Sequence, residues 1–179
     1  MIRKARVSDW PQIRLLLDQL EYKGTEGFLE ARIERLVNDP DEALLVYEED
    51  LAGGLVTGRL VTVGLVTGGK EAGSQESGAA GRQETGGKEA KILGFISLHF
   101  IPQIALEGDF ARISYFAVHE RARGGGIGQA LEEHCMELAR ERGCSLIEVH
   151  CHTRRERAHA FYFRQGYEES PKYLIKRLK

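Results

Sequence analysis

The chain has 179 residues, 42% of them hydrophobic and 29% charged, with a formal net charge of −2. These are the proportions of a soluble globular protein with room for one sizeable core. The balanced charge offers no general attraction for nucleic acid, and aromatic and basic residues do not interleave along a platform, so no nucleic-acid partner is expected.

Cys135, Cys144 and Cys151 are odd in number, lack paired metal-ligand spacing and follow no secretory signal, which predicts a reducing, cytoplasmic setting. The opening residues run straight into an amphipathic pattern, so neither a signal peptide nor a membrane span is expected.

In chain order, Ile2 to Val7 reads as a first strand. A helix follows, its start marked by Ser8, Asp9 and Pro11, with Trp10, Ile13, Leu16, Leu17 and Leu20 at helical spacing. Phe28, Ile33, Leu36 and Val37 predict a second helix ending before Pro40, and Ala43 to Tyr47 a strand.

From Gly53 to Ala90 the composition changes: 11 of these 38 residues are glycine. GLVTG occurs at Gly54 to Gly58 and Gly64 to Gly68, and GGKEA at Gly68 to Ala72 and Gly86 to Ala90. Few large side chains follow Val66, so the tract buries too little apolar surface to offset its ordering entropy. It reads as a flexible insertion, residues 53–90, in a single domain covering 1–179. If Glu49 and Lys91 flank one hairpin, the insertion replaces a tight turn.

After Lys91, ILGFISLHFI is a strong strand pattern, and Phe110 to Val118 is a second. The connection Pro102 to Asp109 is too short for a crossover helix, so the two pair antiparallel. Ile127, Leu131, Cys135 and Leu138 mark a helix capped by Gly143. Ser145 to Cys151 reads as a strand, Arg154 to Gln165 as a helix closed by Gly166, and Tyr173 to Leu178 as a terminal strand.

The most informative stretch is RGGGIG, Arg123 to Gly128, between a strand and a helix. Glycines there let backbone N–H groups converge on a phosphate at a helix start. A dinucleotide fingerprint fails, because counting from Gly124 its last glycine falls on Gln129, and a Walker loop fails because Gln129 and Ala130 follow Gly128. His150 and His152 share one side of a strand while Cys151 takes the other, so that string is no three-ligand cluster, and no metal is expected.

What fits is Arg-x-x-Gly-x-Gly at Arg123, Gly126 and Gly128, directly after a strand and opening a helix. With RRERAHAFYFRQGYE, Arg154 to Glu168, this resembles the GNAT superfamily of acetyl-CoA-dependent N-acetyltransferases. The likeness is most specific from Ala111 to Tyr167; the usual Asn of the second motif is Arg155 here.

The resemblance implies a mixed α/β fold, a mostly antiparallel sheet of six to seven strands flanked by about four helices. It implies acetyl-CoA as cosubstrate, with the pantetheine arm against the backbone of Phe116 and Val118, the pyrophosphate within Arg123, Gly124, Gly126 and Gly128, and Ala158 on the second cofactor helix. It implies an enzyme that acetylates a primary amine of a small molecule or a protein by direct attack, and a homodimer. It implies that the Tyr162 hydroxyl lies near the coenzyme sulfur, where it can protonate or hydrogen-bond the leaving thiolate. Glu107, just before the central strand, and His99, near the end of its neighbour, are the candidate bases, directly or through water; many relatives carry an acid in the central strand where this chain has Ser114 or Tyr115. Glu21, Glu26, Glu30 and Glu107 could draw in a cationic acceptor. The competing reading is a non-catalytic acyl-CoA-binding regulatory protein.

Overall fold

The computed structural model describes residues 1–49 and 91–170, together with residues 174, 176 and 178. The tract 53–90 therefore lies outside the described residues. Five strands, β1 (Ile2–Lys4), β2 (Glu42–Glu48), β3 (Ile92–Ile101), β4 (Phe110–Val118) and β5 (Leu146–Val149), form one sheet in chain order. Its neighbours pair antiparallel except β4 with β5, which run parallel.

The expectation of six to seven strands is thus corrected to five among the described residues. The terminal strand at Tyr173 to Leu178 falls partly outside them, and its described leucines bury nothing: Leu174 is 96% and Leu178 86% exposed.

Helices α1 (Trp10–Gln19) and α2 (Leu29–Asn38) cover one face of the sheet, and α3 (Ile127–Glu141) and α4 (Glu156–Arg164) the other. The start of α1 is fixed by charge. Asp9 accepts the Arg6 N–H at 2.7 Å and a two-pronged contact from Arg3 at 2.8 and 3.0 Å, and Pro11 stands in the first turn, where a missing N–H costs nothing. Ile13, Leu16 and Leu17 then point at the sheet. In α2 the buried pair is Leu29 and Ile33; Phe28, counted in the pattern that predicts this helix, lies just before it and is 54% exposed.

Because helices lie above and below, Ala43, Leu44, Leu45 and Val46 are all buried, the continuous apolar run of a strand covered on both sides. In α3, Ile127, Leu131, Cys135 and Ala139 recur every fourth residue and are buried. The helix ends at Gly143, whose φ of +76° lets Cys144 N–H return to Ala139 O at 2.9 Å.

Gly94 sets the distance between α3 and the sheet. A Cβ there would stand 3.1 Å from both Ala117 O and Leu131 Cδ1 and 3.3 Å from Ile127 Cγ2. Its bare backbone lets the first turns of α3 rest on β3, bringing the glycine loop beside the end of β4.

Candidate active site

β4 pairs with β3 over its whole length but with β5 only from Phe110 to Ile113. Past that point the two parallel strands part. The parting coincides with a bulge: Leu98 faces Ile113 and Ser97 faces Tyr115, leaving Ser114 without a partner. One extra residue reverses the alternation of the strand. Ala111 and Ile113 face the α3 side before it, and Phe116 and Val118 face the same side after it, while Ala117 joins the core under α1.

Beyond the bulge, His119 N–H donates to Leu93 O at 2.8 Å. In an antiparallel ladder alternate residues bond to the neighbour, so Ala117 and His119 face β3 while the N–H and C=O of Phe116 and Val118 face the gap left by β5. The strand thus ends in an unpaired edge inside the fold, a hydrogen-bonding surface for an extended ligand. Val118 O already accepts Arg123 Nε at 3.1 Å, which draws that guanidinium back to the strand.

A short 3₁₀ turn, Glu120–Ala122, leads into the glycines. Gly124 and Gly126 hold φ of +83° and +80°, and a Cβ built on either would meet nothing within 4 Å. Gly126 is the residue before α3 and caps it with no side chain. The first N–H groups of a helix have no acceptor within it, and here they open onto empty space with the positive end of the helix dipole behind them. Gly128 is the second residue of α3, where a Cβ would touch Phe161 at 3.4 Å and Phe116 at 3.7 Å.

Edge, glycine turn and α4 enclose a cleft of about 960 Å³. Arg123, Arg154, Arg155, Arg157 and Arg164 line it against only Glu21 and Glu156, which makes it electropositive. Ala158, Phe161 and Tyr162 form its α4 wall. Tyr162 is buried among Phe161, Tyr167 and Phe116, with ring centroids 5.3, 5.3 and 6.5 Å away. Burial, followed by nearby Cys151, raises its phenol above the ordinary value, so the hydroxyl keeps its proton at neutral pH.

The cleft is bridged at its mouth. Arg154 Nη2 meets Glu21 Oε2 at 2.8 Å and Arg155 Nη2 donates to Leu20 O at 3.0 Å. The Arg155 guanidinium also lies 5.9 Å above the Tyr22 ring, itself 5.3 Å from Tyr115. The residue that replaces the motif's usual Asn therefore ties α4 to the end of α1, a contact that spacing in the sequence does not display.

The structure brings Phe116, Val118, Arg123, Gly124, Gly126, Gly128, Ala158 and Tyr162 to one cleft. It does not bring Glu107 or His99 there. Glu107 is exposed in the loop before Phe110, roughly 25 Å along β4 from Val118 at the usual rise per residue. His99 lies opposite Arg112, five positions along β3 from the Gly94 that faces Val118. Its Nδ1 is 2.6 Å from Glu42 Oε1. Burial raises the Glu42 carboxyl, against the pull of His99.

The thiols are quiet. Burial pushes Cys135 up to about 12 and raises Cys144 and Cys151 as well, leaving little thiolate for nucleophilic attack. Among the described residues no group of three or more His, Cys, Asp and Glu is arranged to hold a metal ion, and no helix is long and apolar enough to cross a membrane.

Comparison with known proteins agrees with this architecture. The aminoalkylphosphonate N-acetyltransferase of Salmonella typhimurium is 32% identical over 83 residues, 46% of this chain and 54% of that protein, so the match spans about half of the relative's length. Among solved structures, glucosamine-6-phosphate N-acetyltransferase from Arabidopsis thaliana superposes with a TM-score of 0.69 at 20% identity, covering 100% of this chain and 98% of that one. A transcriptional regulator from Bacillus halodurans C-125 gives 0.69 at 21% identity, covering 99% of each. At those identities the likeness is one of fold. The model of the acetyltransferase (GNAT) family matches residues 74–167, more than half of the chain, and the protein belongs to that family.

Proposed function

We propose that the chain transfers the acetyl group of acetyl-CoA to a primary amine by direct attack, without an acyl-enzyme. The observation that carries this reading is the half-unpaired β4, whose free edge at Phe116 and Val118 runs into the glycine-capped start of α3. The residues present fit the cosubstrate. Space stands open where Cβ atoms of Gly124 and Gly126 would project, and the lining is rich in arginine, as a polyanionic ligand requires. When bound, acetyl-CoA supplies a thioester carbonyl carbon and a thiolate leaving group.

In this reading the N–H groups at the start of α3 hold the pyrophosphate, and the edge of Phe116 and Val118 aligns the pantetheine arm. Alignment of this kind lowers the entropic cost of attack, and an N–H aimed at the carbonyl oxygen stabilises the charge that develops there. Tyr162, kept protonated by its surroundings, donates to the departing thiolate. Small Ala158 leaves the α4 wall open beside it.

The relative matched in sequence is named for aminoalkylphosphonates, so these head the panel of amines to be tried, followed by amino sugars, polyamines and lysine peptides. The test is acetyl-CoA consumption with mass measurement of every product. Acetylated product that depends on Tyr162 supports the reading. Tight coenzyme binding without turnover across the panel would replace it with the regulatory one.

A further inference from the structure

Where β4 and β5 part, consecutive residues at the exit of β5 face opposite sides of the sheet. Val149 makes the last pair, with Ile113. Cys151 packs into the cluster that holds Tyr162 and helps to raise its phenol. His150 goes the other way. Its Nε2 lies 3.6 Å from Glu148 Oε1, the oxygen that also accepts Arg112 Nε at 2.5 Å. Glu148 stands opposite Arg112 in the ladder, so the three side chains share the face away from α3 and α4.

The gap between the strands is thus flanked by Tyr162 on one face and, at the residue preceding the thiol beside Tyr162, by an imidazole next to a carboxylate on the other. His150 is 41% exposed. Ser114 and Tyr115, the exposed residues at the bulge, and Tyr22, which touches Tyr115, belong to the same side. A group in the gap is open to both faces.

The other histidines are placed elsewhere. His119 Nδ1 accepts Arg121 N–H, His152 Nδ1 accepts Arg154 N–H, and His159 Nε2 contacts His152 O. His134 pairs with Glu137 on the outside of α3, and His99 with Glu42 far along β3.

We propose that His150 is the base that takes the proton of the acceptor amine, positioned by Glu148, with the acceptor approaching from the sheet face opposite Tyr162; this rests on the acetyltransferase reading above. The amine nitrogen bonds to the thioester carbonyl carbon as the C–S bond breaks. The proton leaving nitrogen passes to the imidazole, the thiolate takes the Tyr162 proton, and solvent restores both residues. The Glu148 carboxylate lies beside the ring that takes the proton, and Arg112 holds that carboxylate in place.

The experiment uses the full chain with His150→Asn and Glu148→Gln, after calorimetry has established acetyl-CoA affinity. Expected for His150→Asn are unchanged affinity, a loss of kcat of about 10²- to 10⁴-fold with alkylamines, a smaller loss with weakly basic acceptors such as hydrazines, and partial rescue by added imidazole. Glu148→Gln should give a smaller loss of kcat with the same dependence on acceptor basicity. In the wild-type complex with the unreactive desulfo-CoA, adding an alkylamine should shift the His150 imidazole resonances. Wild-type kcat in His150→Asn, or an equal loss for every acceptor with no rescue, overturns the assignment. A wild-type protein that binds the coenzyme and acetylates no amine overturns the acetyltransferase reading itself, and the base with it.

Discussion

The Tyr167 hydroxyl donates to Glu132 Oε1 at 3.1 Å, in the core beside Tyr162. Glu132 is 4% exposed, on a helix face otherwise made of Ile127, Leu131, Cys135 and Ala139. A buried carboxylate with one donor removed bears a desolvation cost of about 1–3 kcal/mol. Tyr167→Phe should therefore destabilise the fold by that amount in urea unfolding, although the ring contacts survive.

Burial raises the Glu132 carboxyl above its ordinary 4.5, and the Tyr167 hydrogen bond only partly offsets that. Between 4.5 and its native value the folded chain holds more protons than the unfolded one, so this group's contribution is fully present at lower pH and is lost as pH rises through the native value. Glu132→Gln should flatten that part of the profile of Tm against pH. A profile with the wild-type slope would show that Glu132 does not titrate as its burial demands.

Gly126 carries a left-handed φ and caps α3. Gly126→Val imposes strain of about 1–3 kcal/mol and projects a branched side chain into the open space before the helix. Acetyl-CoA affinity, measured by calorimetry, should fall at least tenfold while circular dichroism stays native. Undiminished affinity in a folded variant would remove the phosphate role from this turn.

Tyr162→Phe keeps the aromatic contacts with Phe116, Phe161 and Tyr167 and removes only the hydroxyl. The expected outcome is a loss of about 10²- to 10⁴-fold in kcat with little change in KM for acetyl-CoA. A selective rise in KM would instead make the hydroxyl a binding contact.

Glu49 N–H donates to Lys91 O at 2.8 Å, so the tract 50–90 leaves and rejoins the hairpin of β2 and β3 at adjacent points. Closing that hairpin with a four-residue turn should stabilise it by about 2 kcal/mol, the entropy of shortening the loop about tenfold. Thermal unfolding and coenzyme affinity of the deletion variant check this; loss of affinity would give the tract a part in binding.

Much of this architecture was legible because the signals were local. The helical spacing of Ile13, Leu16 and Leu17, the Gly143 cap of α3, and the glycines between β4 and α3 each depend on a few neighbouring residues. What was illegible depends on pairing. Glu107 is close to the central strand in sequence but at its far end in space, and His99 is fixed by its register with Glu42 and Arg112. His150, weighed only as a metal ligand, gains its position from where β5 stops pairing. The bridge from Arg155 to Leu20 joins segments 135 positions apart, beyond the reach of any periodicity.

The unpaired Ser114 makes β4 sensitive to length rather than to chemistry. Deleting that one residue would set Ile113, Tyr115, Phe116 and Ala117 against Leu98, Ser97, Ile96 and Phe95 in an unbroken ladder: each side chain would keep its present face, and what would go is the local bend and extra twist at the point where β4 parts from β5. Most side-chain exchanges at this exposed position should be borne, whereas a single-codon deletion would straighten the strand and narrow the gap beside it while every residue that lines the cleft was still encoded.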